Sequence, residues 1–477
     1  MQMKRLEEQK FYAFCRRYLQ DVLPVIYTPG IGEVALHYSK LYLPSQGLLL
    51  SYPLQEQIEE TLDKLSLKEI RAIVLTDGER VLGLGDLGIG GMAIAQGKLL
   101  LYTLFGHINP VHLLPVAIDV GVNNPSLLKD PSYKGWKHPR ISREEYELFI
   151  DKVIGALHKK YPHLLLQWED MGNRYARLFL ERYREKICSF NDDIQGTAAV
   201  VLAAIQAVSL VTKKKLKEQK IMIVGGGSAG IGIAEIVSKF LQEEGEAFPK
   251  TSLYIIDKEG LVIEGGKTPI PEQQKPYARS LQERILWKWE NKQYISLEES
   301  VETICPTILI GVCAQGGIFT EKMIKSLCQK VERPAIFPLS NPHSKSEADP
   351  EDLVHWSKGK ALIATGSPFD PIEYEGRKIE ITQCNNFAIF PGLALGVIAS
   401  QAKTVPDSFF LQAAQVLASY SPLLRQEGSA LFPPLKQLPE IAKEIAAQIF
   451  HLAVEKGLSP FTKEEREKEI KRWCDAE

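Results

Sequence analysis

Few ten-residue stretches restrict a fold as tightly as IMIVGGGSAG, residues 221–230. A short apolar run stops at a cluster of glycines, and an apolar-periodic helix begins directly after it, running to Leu241. Gly225, Gly227 and Gly230 fit G-x-G-x-x-G in the strand–turn–helix setting that gives the pattern meaning. The first glycine allows the tight turn, the second lets backbone approach a pyrophosphate, and the third lets helix and strand pack closely. The helix that follows, Ile231–Leu241, offers free N–H groups and partial positive charge to phosphate at its start. A lone glycine pattern is weak evidence. The flanking strand and helix predict a doubly wound α/β unit that binds a dinucleotide.

The residues downstream extend that reading. SLYIID reads as a second strand ending at Asp257, where a carboxylate can accept from ribose hydroxyls. PTILIGVCAQGGIFT (306–320) and PAIFPLSNP (334–342) read as further strands. The second ends at Asn341, a candidate for cofactor or substrate contact that could equally initiate a turn before Pro342. Lys258 and Lys275 leave NADP open beside NAD.

The first part of the chain carries different chemistry. Two acidic pairs flank apolar runs, Glu169-Asp170 after LLLQW and Asp192-Asp193 in FNDDIQGTA. Carboxylates in such places are expensive unless paired or bound to metal. Neighbours on a strand point to opposite faces, so a pair converges on one ion only at a strand end or loop, which Gly172 and Gly196 permit. Oxygen donors without His or Cys suit Mg²⁺ or Mn²⁺. The bland alternative makes Asp192 a helix cap and pairs Glu169 with Arg174. Tyr27 (in VIYTPGIGE), Arg80 (in TDGERVLG) and Lys98 (in AQGKLLLY) could complete a site. Arginine forks carboxylates, and a lysine of depressed pKa, or a tyrosine, can move protons.

Composition narrows the classes. Length at roughly 150 residues per domain allows about three units. Lys+Arg at 57 against Asp+Glu at 59 leaves no basic field for nucleic acid. The seven cysteines are scattered without a C-x-x-C, the pattern of a reducing, cytoplasmic setting. FAIFPGLALGVIA, from Phe387, is taken as the longest apolar stretch and is too short to span a bilayer, so no membrane partner is expected. Residues 1–20 read as helix. Residues 143–187 read as mostly helix with a break at LLLQWEDMGN, and TAAVVLAAIQAVSLV reads as a buried helix.

Taken together, YTPGIGE, TDGERVLGLGDLGIGGMAIAQGKLLLY, PVAIDVGVNNPSLLKDPSY, FNDDIQGTAAV, RPAIFPLSNP, ATGSPFDPIEYEGR and CNNFAIFPGLALGV make the chain resemble the malic enzymes, from about Glu7 to near its end. The resemblance implies an N-terminal malic-enzyme α/β domain over 1–190 and a Rossmann-type doubly wound NAD-binding domain over 191–450. Residues from about 386 would pack back on the first domain, and 451–477 would form a helical tail. It implies divalent-metal-dependent oxidative decarboxylation of L-malate to pyruvate and CO₂, with NAD reduced, in a homo-oligomer, dimer or tetramer. Glu169, Asp170 and Asp193 would hold Mg²⁺ or Mn²⁺. Tyr27 would be general acid, Lys98 general base, and Asp192 the residue tuning Lys98. Arg80, Asn341 and Asn386 would contact malate or the nicotinamide. Gly225, Gly227, Ser228, Ala229, Gly230, Asp257 and Asn341 would bind the cofactor.

Departures from the family pattern touch no predicted catalytic side chain and bear on the cofactor rather than the chemistry. The cofactor loop reads GGGSAG, the segment around the acids reads Trp168-Glu169-Asp170-Met171, Val122 stands where Thr or Ser is common, and GVCAQGGIF replaces a G-A-G-like turn. In the family a lysine after the ribose-binding acid marks NADP use. Gln274 stands there, which favours NAD. Two other readings stay open: a malolactic enzyme that releases L-lactate, and a non-catalytic NAD-binding regulator.

Overall fold

The computed structural model describes residues 7–41, 47–67, 69–81, 83–247 and 249–474, and divides into two compact units. The first comprises Met1–Asp193, Phe387–Ala413 and Pro434–Glu477; the second comprises Ile194–Asn386 and Ala414–Pro433. The sequence assigned about 386–450 as one block and 451–477 as a separate tail. Here 414–433 belongs to the second unit, and the final residues belong to the first. Of the helix expected over 1–20, residues 1–6 lie outside the described residues, while Glu8–Arg17 and Leu19–Ile26 are helical.

The first unit is built on β1 (Leu48–Ser51), β2 (Ala72–Thr76), β3 (Leu113–Asp119), β4 (Leu165–Glu169) and β5 (Ser189–Asn191), all pairs parallel, in the order β1-β3-β2-β4-β5. Parallel neighbours need crossovers, and helices supply them: Gly91–Leu104 after β2, Arg143–Lys160 after β3, Asn173–Tyr183 after β4. Arg143–Lys160 forms where the sequence signals it. Ser142 and Glu145 make a reciprocal capping box, and His158, Lys159 and Lys160 complement the dipole at its end. Every residue of β2 and β4 is buried, as strands covered on both faces require.

The glycines inside FAIFPGLALGVIA have a packing reason. Helix Phe390–Ser400 is buried throughout. A Cβ on Gly392 would come within 2.7 Å of Ala442 O, and one on Gly396 within 2.7 Å of the Ile449 Cβ. Helix Leu438–Glu455 can therefore approach it closely. The last helix, Arg466–Trp473, is charged on its outer side yet buries Trp473, which lies under the Arg71 guanidinium at 4.4 Å.

The second unit carries β6 (Ile221–Val224), β7 (Leu253–Asp257), β8 (Gly260–Leu261), β9 (Ile308–Gly311), β10 (Ala335–Pro338) and β11 (Leu362–Thr365). A small antiparallel pair, β12 (Ile372–Tyr374) and β13 (Arg377–Ile379), precedes β14 (Thr382–Gln383). The sheet order is β14-β11-β10-β9-β6-β7-β8, parallel except for β7–β8. From β6 the chain goes first to β7 on one side and later to β9 on the other. The glycine turn after β6 thus stands at the switch point where doubly wound sheets hold ligands. Among the described residues the longest apolar helical stretch is Asp192–Thr212, not the one from Phe387. It is long and apolar enough to cross a bilayer by composition, but 78% of its apolar window is buried inside the protein, as in a core helix.

Candidate active site and dinucleotide-binding turn

In the first unit, acidic residues collect at the carboxyl ends of β4 and β5. Glu169 is the last residue of β4; Asp192 and Asp193 directly follow β5 in a short turn of wide helix. Asp170 takes a left-handed backbone, φ +52°. An aspartate tolerates that conformation, and it carries the chain out of strand alternation. Ligand oxygens of Glu169, Asp170 and Asp193 lie within 4.8 Å of one another. Asp170 N–H donates to Asp193 Oδ2 at 2.8 Å, while the buried Asp170 Oδ2 has no hydrogen-bond partner.

Burial raises all three carboxyls, with mutual repulsion adding to it: Glu169 to about 8, Asp170 well above the carboxylate range, Asp193 upward. Ionised, the four carboxylates including Asp192 would outnumber the nearby cations, Lys98 and Arg80. An orphaned buried oxygen, an all-oxygen donor set and this charge imbalance fit a hard divalent cation.

The ammonium is Lys98. It sits on helix Gly91–Leu104, buried, with Nζ 2.5 Å from Asp192 Oδ2 and 2.9 Å from Glu169 Oε1. Burial alone would lower its pKa. Asp192 and Glu169 outweigh burial and hold it well above the usual lysine value. The sequence suggested a depressed lysine; without the ion, the acids win. The rings of Phe390 and Tyr27 lie 5.0 and 5.8 Å from Nζ. Tyr27 follows helix Leu19–Ile26, is buried, and packs edge-on to Phe387 at 6.4 Å. Its burial pushes the phenol far upward despite Lys98, so it stays protonated. Arg80 is exposed in the turn after β2; its N–H donates to Asp170 O at 3.1 Å, and its charge acts on Asp193. These seven predicted residues meet in one place.

The second unit holds the predicted cofactor residues. Gly225 adopts φ +121°, open to glycine alone. A Cβ on Gly230 would lie 1.9 Å from Gly225 O, so helix and strand pack as the third glycine requires. Helix Ser228–Glu243 starts with Gly227 at its cap, leaving the N–H groups of Ser228, Ala229 and Gly230 without carbonyl partners from a preceding turn. Asp257 ends β7, its Oδ1 accepting from Lys258 N–H at 2.9 Å. Asn341 is exposed after β10 and accepts from Ser367 Oγ at 2.5 Å; Asn386 Nδ2 donates to Thr197 Oγ1 at 3.1 Å.

Residues 4–184 match the family model of the malic enzyme N-terminal domain, and 194–454 match that of the malic enzyme NAD-binding domain. The chain belongs to the malic enzyme family. The NAD-dependent malic enzyme of Acinetobacter baylyi is 44% identical over 455 residues, 95% of this chain and 80% of the relative. That of Photorhabdus laumondii is 43% identical over 458 residues, with the same coverage. The crystal structure of the Entamoeba histolytica malic enzyme superimposes with a TM-score of 0.63 at 22% identity, covering 94% of this chain and 80% of that one; this likeness concerns the fold.

Within this malic enzyme fold, two side chains matter that the sequence did not single out. Gln167, buried, is bonded to Glu169, and Tyr102, also buried, is bonded to Gln167. Gln274, in the sequence a marker of cofactor choice, is buried, and its Nε2 donates to Asp257 Oδ2 at 2.6 Å and to Gly226 O at 3.0 Å. Period-two spacing from Glu169 could have flagged Gln167. Nothing local could have flagged Tyr102.

Proposed function

We propose that this malic enzyme family member converts L-malate and NAD⁺ to pyruvate, CO₂ and NADH. The observation that carries the reading is Lys98 Nζ held between Asp192 and Glu169, beside converging carboxylates and the protonated Tyr27. Glu169, Asp170 and Asp193 would hold Mg²⁺ or Mn²⁺, which when bound supplies Lewis acidity to the C2 oxygen. A Glu169 that held the ion would no longer secure the Lys98 ammonium. Lys98 can then lose its proton and take one from the C2 hydroxyl as hydride leaves C2 for NAD⁺. The C3–C4 bond breaks, C4 departs as CO₂, and its electron pair forms the enolate of pyruvate. Tyr27 protonates C3 and is reprotonated by Lys98, so the hydroxyl proton ends on carbon. Arg80, exposed in the turn after β2, would grip a malate carboxylate.

Gln274 supports NAD over NADP, because its amide engages Asp257 where a 2′-phosphate would need a cation. Exposed Phe14, Tyr18 and Val25 on the first helices support a homo-oligomer, which sedimentation at several concentrations tests. The activity test is one assay series: L-malate with NAD⁺ or NADP⁺, with Mn²⁺ or chelator, following reduced cofactor and the organic acid formed. Pyruvate with stoichiometric NADH is the expected result. Lactate without net NADH would make the chain malolactic, and no turnover with intact NAD⁺ binding would make it a regulator.

A further inference from the structure

A buried ladder joins helix Gly91–Leu104 to β4. Lys98 and Tyr102 are one turn apart on the helix, about 5–6 Å between Cβ atoms. Gln167 and Glu169 are two apart on β4, on one face, about 6.6 Å at strand rise. The two spacings match closely enough for paired rungs. Tyr102 OH donates to Gln167 Oε1 at 2.5 Å, and Lys98 Nζ reaches Glu169 Oε1 at 2.9 Å. Along the strand, Gln167 Nε2 donates to Glu169 Oε2 at 2.7 Å. Tyr102 and Gln167 are fully enclosed, and the Phe390 ring packs 5.4 Å from Tyr102.

The direction of these bonds is forced once Glu169 is ionised to hold a cation. It then only accepts, so the amide nitrogen of Gln167 must face it. Its carbonyl then faces Tyr102, which has a hydroxyl to donate. A flipped amide would set its oxygen against that carboxylate, and the Tyr102 hydroxyl bond to the carbonyl holds the productive orientation. Without Gln167, Glu169 would be free to rotate wholly onto Lys98 and close an ion pair in place of ligation. We propose that Gln167, locked by Tyr102, is a positioning residue that fixes the Glu169 carboxylate for the divalent cation. This rests on the metal assignment above.

The test is direct Mn²⁺ titration of the purified full chain, by calorimetry or by the signal of free Mn²⁺, with NAD⁺ affinity and the metal-free melting temperature measured alongside. Outer partners of metal ligands are worth about 10–100-fold in affinity. Gln167→Leu is therefore expected to weaken Mn²⁺ by that factor, with NAD⁺ affinity and metal-free melting near wild type. Tyr102→Phe is expected to weaken it several-fold, and decides the matter if Gln167→Leu fails to fold. Mn²⁺ affinity within twofold of wild type in the foldable variants overturns the proposal. Asp193→Asn separates the levels. Wild-type binding that Asp193→Asn abolishes but Gln167→Leu leaves intact defeats this inference alone. Absence of Mn²⁺ binding by the wild type defeats the metal assignment with it.

Discussion

Lys98 is a buried cation with two carboxylate partners and two aromatic walls, and its proton is the quantity the site controls. Lys98→Ala should cost about 10²–10⁴-fold in kcat, the usual worth of a general acid or base, with NAD⁺ affinity unchanged; single-turnover kinetics with malate check it. At Gln274, a lysine would set a cation beside Asp257. Gln274→Lys should lower the KM for NADP⁺ and raise that for NAD⁺, read as the ratio of kcat/KM values. Lys98, Tyr27 and the acids were legible because each stands in a distinctive local pattern. Tyr102 was not, because one apolar helix turn looks like another until a strand is laid against it. The charge state of Lys98 was not legible either, since it depends on which acids surround it in space.

At the scale of elements, the site is made by endings. β4 and β5 stop side by side, and the left-handed Asp170 turns consecutive acids toward one cluster. Asp170→Asn keeps a residue that tolerates this backbone but removes a charged donor, so Mn²⁺ affinity should fall while metal-free melting holds; Asp170→Ala should lose both. In the other unit, Gly230→Ala forces a Cβ onto Gly225 O, nominally 1.9 Å away. Such overpacking costs about 1–3 kcal/mol, and NAD⁺ affinity measured by fluorescence should fall with stability. The sequence showed the glycine turn and the parallel strands that follow it, because turn chemistry and apolar runs are local. It did not show that Asp170 itself makes the bend credited to Gly172.

For the whole molecule, the acidic cluster sets a pH response. Glu169, Asp170 and Asp193 have folded pKa values raised above their unfolded ones. Between the ordinary carboxylate range and about 8 for Glu169, the folded chain therefore binds more protons than the unfolded. Stability of chelated protein should fall as pH rises through that window. Mn²⁺ should remove the slope and stabilise more at pH 8 than at pH 5, which melting curves with and without the ion will show.

The chain crosses between the units four times, at 193/194, 386/387, 413/414 and 433/434. Phe390, against which Lys98 and Tyr102 rest, and the helix that closes over it arrive late. Residues 1–193 carry all four acids, but the Phe390 wall comes from a later segment of the chain, Phe387–Ala413. A fragment cut at that first crossing inherits every proposed metal ligand and still lacks the surface that makes Lys98 a buried amine.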